Sequence, residues 1–279
     1  MGGRRKRRQR ERQEAAAGES PAADAPVARW SDDDGEEPEV PEQQEPGEGE
    51  EVGEARQEDA ANAVAEPPPE DEGVVRDRAA LAEARKLADA GRTQEAISAY
   101  RAVVLTTPSS VKARNNLGVL YDQQGEHSLA LEQYQLAREL EPENVEVLSN
   151  LGAVLGTLGR FELAEKELRR AQKIDPDRAD VHANLGILFF KRGAYAAADL
   201  ELKRAIELDG EHAAANYYRG EALNRLGRVD EALELLEKTV QLQPGNGKAY
   251  YNMGIIYDKK HLPAQAAVMY KKAREAAGT

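Results

Sequence analysis

Small, apolar and polar positions recur every 34 residues through the C-terminal part of this chain. The tripeptide Asn-Leu-Gly occurs at 116–118, 150–152 and 184–186, and the same spacing extends in both directions without an insertion. It divides the sequence into six blocks: 77–110, 111–144, 145–178, 179–212, 213–246 and 247–279. A fixed period of this length is typical of stacked supersecondary units.

The columns of the repeat predict two closely packed helices in each block. Position eight is Ala84 in the first block and glycine in the other five, position twenty is always alanine, and position twenty-four is always tyrosine or leucine. Because side-chain size sets the distance between helix axes, the small columns allow close approach. Glycine at position fifteen in five blocks predicts a left-handed residue that closes the first helix, and proline near the block end predicts the end of the second. The sequence therefore predicts an all-α array of helix–turn–helix units.

The second block carries a recognisable set of residues, namely Leu117, Gly118, Tyr121, Ala130, Tyr134, Ala137 and Pro142. This set resembles the tetratricopeptide repeat (TPR), and the resemblance covers 77–279. It implies a right-handed superhelical α-solenoid of six repeats, in which the first helix of each repeat lines a concave groove. Three positions depart from the pattern: Ala84 replaces the first glycine, Gly210 replaces a proline, and His261 replaces the last turn glycine.

A row of asparagines at position six is the first candidate for binding. The resemblance implies that this position faces the groove, where a carboxamide can both donate to and accept from the backbone of an extended peptide. The row is similar to that in the repeat domains of O-linked N-acetylglucosamine transferases. Asparagine is also common at this position for packing, so both interpretations stay open for Asn116, Asn150, Asn184 and Asn252.

Aromatic residues at groove positions are the second candidate, since aromatic side chains are favoured binding anchors. They are Phe190, Tyr217, Tyr218 and Tyr251, and packing is the alternative role. The charged groove positions comprise seven basic and six acidic residues: Arg78, Arg85, Lys112, Lys191, Arg225, Lys248 and Lys259, against Asp89, Asp122, Glu146, Asp180, Glu221 and Asp258. This near balance argues against nucleic acid in the groove.

Charge divides the chain at the start of the repeats. The protein has 279 residues and a net charge of -13, yet 77–279 holds 28 basic and 29 acidic residues. Residues 1–12 have a net charge of +6, and residues 13–76, rich in Pro, Gly and Glu, have a net charge of -18. A segment so charged and so poor in apolar residues is predicted to be disordered. We therefore assign 1–76 to a tail and 77–279 to the repeat domain.

The tail offers two candidate contacts of its own. The basic run 4–12 is typical of a nuclear localisation signal, of a nucleic-acid or anionic-surface contact, or of a solubilising end. Trp30 is the only tryptophan and belongs to this tail. It either anchors a linear binding motif or has no specific role.

Residue types that carry chemistry are scarce. The absence of cysteine excludes disulfides, thiolate metal sites and a cysteine nucleophile. No apolar run reaches the roughly 18 residues that a membrane helix needs, and no apolar run follows the basic N-terminus as in a secretory signal. The four histidines lack metal-ligand spacing, and no phosphate-binding glycine loop or catalytic serine motif occurs. We expect no enzymatic activity, metal or cofactor.

These observations predict a non-catalytic scaffold or adaptor in the cytoplasm, or in the nucleus if the cell is eukaryotic. It would bind an extended protein segment in the groove as a monomer or a weak homodimer. Two alternatives stay open: a nucleic-acid-associated protein tethered by residues 4–12, and an accessory subunit of an enzyme such as a glycosyltransferase on another chain.

Overall fold

The computed structural model describes residues 72–278, with the side chains of 78–278, and this stretch consists of twelve α-helices without a β-strand. The predictions for the basic run, for Trp30 and for most of the acidic segment lie outside the described residues. The helices are α1 (Glu72–Asp89), α2 (Thr93–Thr106), α3 (Val111–Gln123), α4 (His127–Leu140), α5 (Val145–Thr157), α6 (Phe161–Ile174), α7 (Ala179–Lys191), α8 (Tyr195–Leu208), α9 (Ala213–Arg225), α10 (Val229–Leu242), α11 (Gly247–Lys259) and α12 (Pro263–Ala277).

The helices form two layers. Each odd-numbered helix packs most extensively against the helix that follows it, and each even-numbered helix also contacts the next odd-numbered one. Consecutive odd-numbered helices from α3 to α11 also contact one another directly. Because the inner side of a curved stack brings its elements closest, the odd-numbered helices form the concave layer. The all-α solenoid predicted from the 34-residue period is confirmed.

The small columns fill the positions at which the two helices of a repeat approach. All six alanines of position twenty are buried, and the large residues of position twenty-four are fully buried in the first five repeats. A Cβ atom on Gly152 or Gly186 would lie 2.4 Å from the Cγ of Leu168 or Leu202. The apolar core runs continuously from Val119 to Ile256. The repeat spacing therefore sets both the helices and their separation.

Side-chain caps fix the start of four concave-layer helices. Ser110, Asn144, His212 and Asn246 each accept a hydrogen bond from the backbone N–H three residues further on, at 3.0–3.2 Å. Such caps stabilise a helix by about 1 kcal/mol each. The role of His212 is thus structural, as an N-cap of α9.

The turn between the two helices of a repeat requires a left-handed residue, as the glycine column predicts. The glycines of the first five turns have φ between 71° and 82°, and His261, at φ 59°, is the only other positive-φ residue among 72–278. A side chain in this region costs roughly 1–2 kcal/mol, because its Cβ approaches the carbonyl oxygen.

We expect His261→Gly to raise the free energy of unfolding by about 1 kcal/mol, since it removes this strain at an exposed site. Thermal denaturation followed by circular dichroism measures the change. Gly193→Ala, which introduces the same strain in the fourth turn, is the matched control and should lower the melting temperature. A lower melting temperature for His261→Gly would contradict the prediction.

Within 72–278, no helix combines the length and the apolar character that crossing a membrane requires.

Candidate functional site

The position-six asparagines join each repeat to the one before it. Asn150 Nδ2 donates to Asn115 Oδ1 at 2.9 Å, and Asn184 Nδ2 donates to Ser149 Oγ at 3.0 Å. Asn252 Nδ2 donates in the same way, to Tyr217 Oη at 3.1 Å. In all three cases the acceptor occupies position five of the preceding repeat. These bonds therefore tie neighbouring concave-layer helices together at a constant register.

Asn116 bonds differently because position five of the first repeat is Leu81, which has no acceptor. Its Nδ2 donates instead to the Oη of the buried Tyr100 at 3.3 Å. Only 1% of Asn116, 1% of Asn150 and 3% of Asn184 is exposed, whereas Asn252 is half-buried. These bonds show the packing role of the asparagine row. Direct contact between the row and a peptide stays a prediction, and Asn252 is the member with the most exposed surface for it.

The predicted aromatic residues fall into two groups. Tyr217 and Tyr218 are buried, with ring centroids 5.1 Å apart, and the half-buried Phe190 meets the Tyr218 ring edge-on at 5.4 Å. Tyr251 lies apart from them and packs on Tyr270, at 5.5 Å, in the last repeat. Phe190 and Tyr251 are therefore the aromatic side chains of this set that keep substantial exposed surface.

A pocket of about 390 Å³ opens on the concave layer of the last repeat and is lined by Tyr251, Ile255, Asp258, Lys259 and Tyr270. Tyr270 Oη donates to Asp258 Oδ2 at 2.9 Å, and Lys259 Nζ donates to Asn224 Oδ1 at 2.8 Å. Sequence reasoning placed Tyr270 only as a core filler, because its column is buried in the earlier repeats. In the sixth repeat this residue is only half-buried.

Two acidic positions expected in the groove are buried in the structure. Asp122 Oδ1 lies 2.7 Å from His127 Nδ1, and burial raises the pKa of Asp122 while the hydrogen bond to His127 opposes that rise. Asp180 is fully buried and accepts two hydrogen bonds from Arg178, at 3.1 and 3.2 Å. Neither carboxylate contributes an exposed negative charge to the groove.

A third acid, Glu221, is partly withdrawn as well. Its Oε1 is buried without a hydrogen-bond partner, and burial raises the pKa of Glu221, with Arg225 and Lys259 opposing the rise. All seven basic groove positions remain exposed or half-exposed. Asp89 and Asp258 are exposed and Glu146 is half-buried, so the exposed groove holds seven basic and four acidic positions, a larger basic excess than the seven against six counted from the sequence.

A polar network that sequence reasoning missed joins α6, α7 and α8. His182 Nδ1 lies 2.8 Å from Glu201 Oε2, and its Nε2 lies 2.9 Å from the carbonyl oxygen of Pro176. Since both partners are acceptors, this arrangement favours the protonated ring, and the hydrogen bond to Glu201 raises the pKa of His182. Arg169 donates to Glu201 Oε1 at 2.7 Å and lies over the ring of Phe189.

The histidine, aspartate and glutamate side chains of the described residues are spread along the repeats. Among residues 72–278, no group of three or more His, Asp or Glu side chains is placed to hold an ion. The histidines lie at four separate places, as an Asp122 partner, in the Glu201 network, as a helix cap and in a turn. Each has a structural position in the repeat.

Comparison with known proteins supports the same architecture. Two family models of the tetratricopeptide repeat match the chain, one at 81–145 and 184–247 and the other at 123–188. No curated protein matches the sequence. Among solved structures, a crystal structure of MamA is 31% identical, covers 57% of this chain and 94% of its own, and gives a TM-score of 0.49.

Two further structures share the fold at lower identity. A chain of the APC/C hetero-tetramer Cut9-Hcn1 is 18% identical with a TM-score of 0.69; the match covers 73% of this chain and 40% of that one. The pilF protein of Pseudomonas aeruginosa is 21% identical with a TM-score of 0.61, covering 71% and 90%.

The family matches extend from 81 to 247 and coincide with the 34-residue register, the buried small columns and the helix pairs. Repeats of this type indicate a protein-interaction scaffold. The chain belongs to the tetratricopeptide repeat family.

Proposed function

We propose that the protein is a non-catalytic cytoplasmic scaffold whose concave groove binds an extended peptide segment. The observation that carries this proposal is the open pocket of the last repeat, where Tyr251 and Tyr270 present aromatic surface beside the exposed Lys259. Aromatic side chains next to a cation are typical binding anchors, since they bury apolar area at low entropic cost and leave a polar group for orientation.

The remaining candidate residues take two roles in this proposal. Asn116, Asn150 and Asn184, together with Tyr217 and Tyr218, form the floor of the groove and keep its helices in register. Phe190, Tyr251 and the half-buried Asn252 make the direct contacts. A peptide that runs along the concave layer would then meet apolar surface in the fourth repeat and the pocket in the sixth.

A random-peptide library panned on the full-length protein tests this proposal. Affinities of the selected peptides, measured by fluorescence anisotropy, should fall about tenfold or more for Tyr251→Ala, the size expected for a central aromatic anchor. Leu200→Ala is the matched control, because Leu200 is 70% exposed on the second helix of the fourth repeat. Equal affinities for wild type and Tyr251→Ala, with melting temperatures unchanged, would contradict groove binding.

A further inference from the structure

The exposed charges of the groove select an acidic partner. All seven basic positions of the groove keep exposed surface, against four of the six acidic ones, because Asp122 and Asp180 are buried. Lys191, Arg225 and Lys259 are exposed in three consecutive repeats from the fourth to the sixth. Attraction between such charges and an anionic segment is strongest where both face a shared concave surface.

One segment of this chain has the matching chemistry. Residues 31–51 contain eleven acidic side chains and no basic one. Pro38, Pro41 and Pro46 favour an extended backbone, which suits an open groove and loses little entropy on binding. In that conformation the segment would be about 65 Å long at roughly 3.1 Å per residue. Five steps between concave-layer helices, at about 8–10 Å each, amount to roughly 40–50 Å.

The tether is long enough for the segment to reach its own groove. Residues 52–71 join it to α1, and these 20 residues span at most about 66 Å when extended. A linker of this length gives an effective concentration of about 1 mM. A weak electrostatic contact would therefore be populated within one molecule even where the same peptide would bind poorly from solution.

We infer that the acidic segment 31–51 occupies the concave groove of its own chain and competes there with partner peptides. This inference rests on the proposed function, because it names the occupant of the same groove. It gives the acidic tail a role: partners must displace it, so only a segment that also uses the aromatic pocket gains access.

The first test compares two full-length proteins. In one, the eleven acidic residues of 31–51 are changed to Asn or Gln; the other is wild type. A fluorescein-labelled peptide of sequence 31–51 should bind the neutralised protein about tenfold or more tightly than wild type, because the competitor in cis is gone. That affinity should fall steeply with added salt. Equal affinity for the two proteins, or no binding to the neutralised one, overturns the inference.

The second test uses Trp30 as a probe, since it directly precedes the acidic segment and is the only tryptophan. In wild type, its fluorescence should be protected from iodide quenching and lose that protection at about 1 M salt, where screening is nearly complete. Lys191→Glu/Lys259→Glu should remove the protection at low salt. Lys166→Glu/Lys203→Glu, which makes the same charge change at exposed sites on the even-numbered helices α6 and α8, should leave it intact.

Two outcomes of the quenching test would overturn the inference: no difference between the two charge-reversed proteins, or a response that disappears only when residues 4–12 are deleted. The second would mean that the acidic segment contacts the basic run instead of the groove. The proposed function is judged separately, by panning peptides on the neutralised protein. If library peptides bind the neutralised protein through Tyr251, the proposed function stands even when residues 31–51 do not bind the groove.

Discussion

Gly186→Ala is expected to lower the free energy of unfolding by about 1–3 kcal/mol, the usual cost of overpacking a tight core. The added methyl carbon would lie 2.4 Å from Leu202 Cγ and 3.1 Å from the backbone nitrogen of Leu202. The contact with Cγ matters most, because a separation of 2.4 Å is far too short and Cγ is the branch point of the Leu202 side chain, not its flexible end. The two helices of the fourth repeat must therefore separate.

This loss of stability would be opposite in sign to the effect of a glycine-to-alanine substitution at an uncrowded helix position. In the interior of a helix, alanine is favoured over glycine by roughly 1 kcal/mol, so an uncrowded site would gain stability. Gly220→Ala provides the matched control, since Gly220 occupies the same column and its nearest contacts, Leu236 Cγ and the carbonyl oxygen of Ala232, would be at 3.1 and 3.2 Å. We expect Gly220→Ala to stay within about 1 kcal/mol of wild type, because a small shift of Leu236 relieves the contact.

Thermal and urea denaturation of the full-length protein measure both variants. Because stacked repeats unfold through nearest-neighbour interfaces, a defect in the fourth repeat can split the transition, and the whole curve should be compared. If Gly186→Ala were as stable as Gly220→Ala, the glycine column would not set the distance between the helices.

Periodic features of this protein could be predicted from its sequence, because each repeat presents the same local chemistry. The glycine turns, the buried alanines and the helix pairs follow from columns that recur every 34 residues. His261 departs from the glycine column in sequence, yet its φ of 59° gives it the same left-handed turn as the glycines. The spacing of residues is sufficient to predict a feature wherever that feature is determined by contacts within a single repeat.

Contacts between repeats were predicted less well. The asparagine row was expected to face the groove, yet three of its members donate to the preceding repeat, 35 residues earlier. Asp180 is buried and bonded to Arg178 in the turn before it, and Tyr270 is only half-buried although its column is fully buried in the first five repeats. Such features follow from how consecutive repeats are placed in space, which a column of similar residues does not specify.

The Glu201 network has a pH dependence that can be derived from its partners. The pKa of His182 is raised, so its contribution to stability is complete below its usual pKa of about 6.5 and is lost as the pH rises through the folded value. The pKa of Glu201 is lowered: burial acts to raise it, but the hydrogen bonds from His182 and Arg169 outweigh that effect. Its contribution is therefore present above about 4.5 and is lost as the pH falls through the folded value. The network is strongest between these two limits.

We expect Glu201→Gln to cost about 2 kcal/mol at pH 6, the size of a hydrogen bond to a charged group at a mostly buried site, and distinctly less at pH 9. Glu167→Gln is the matched control, because Glu167 occupies the same column one repeat earlier and accepts from Arg138 at 3.0 Å. In that repeat the position of His182 is taken by Leu148, so the imidazolium is missing. Urea denaturation at the two pH values measures both variants. Only the fourth repeat places a histidine ring beside this carboxylate. If the destabilisation by Glu201→Gln and that by Glu167→Gln changed equally between pH 6 and pH 9, His182 would not stabilise Glu201.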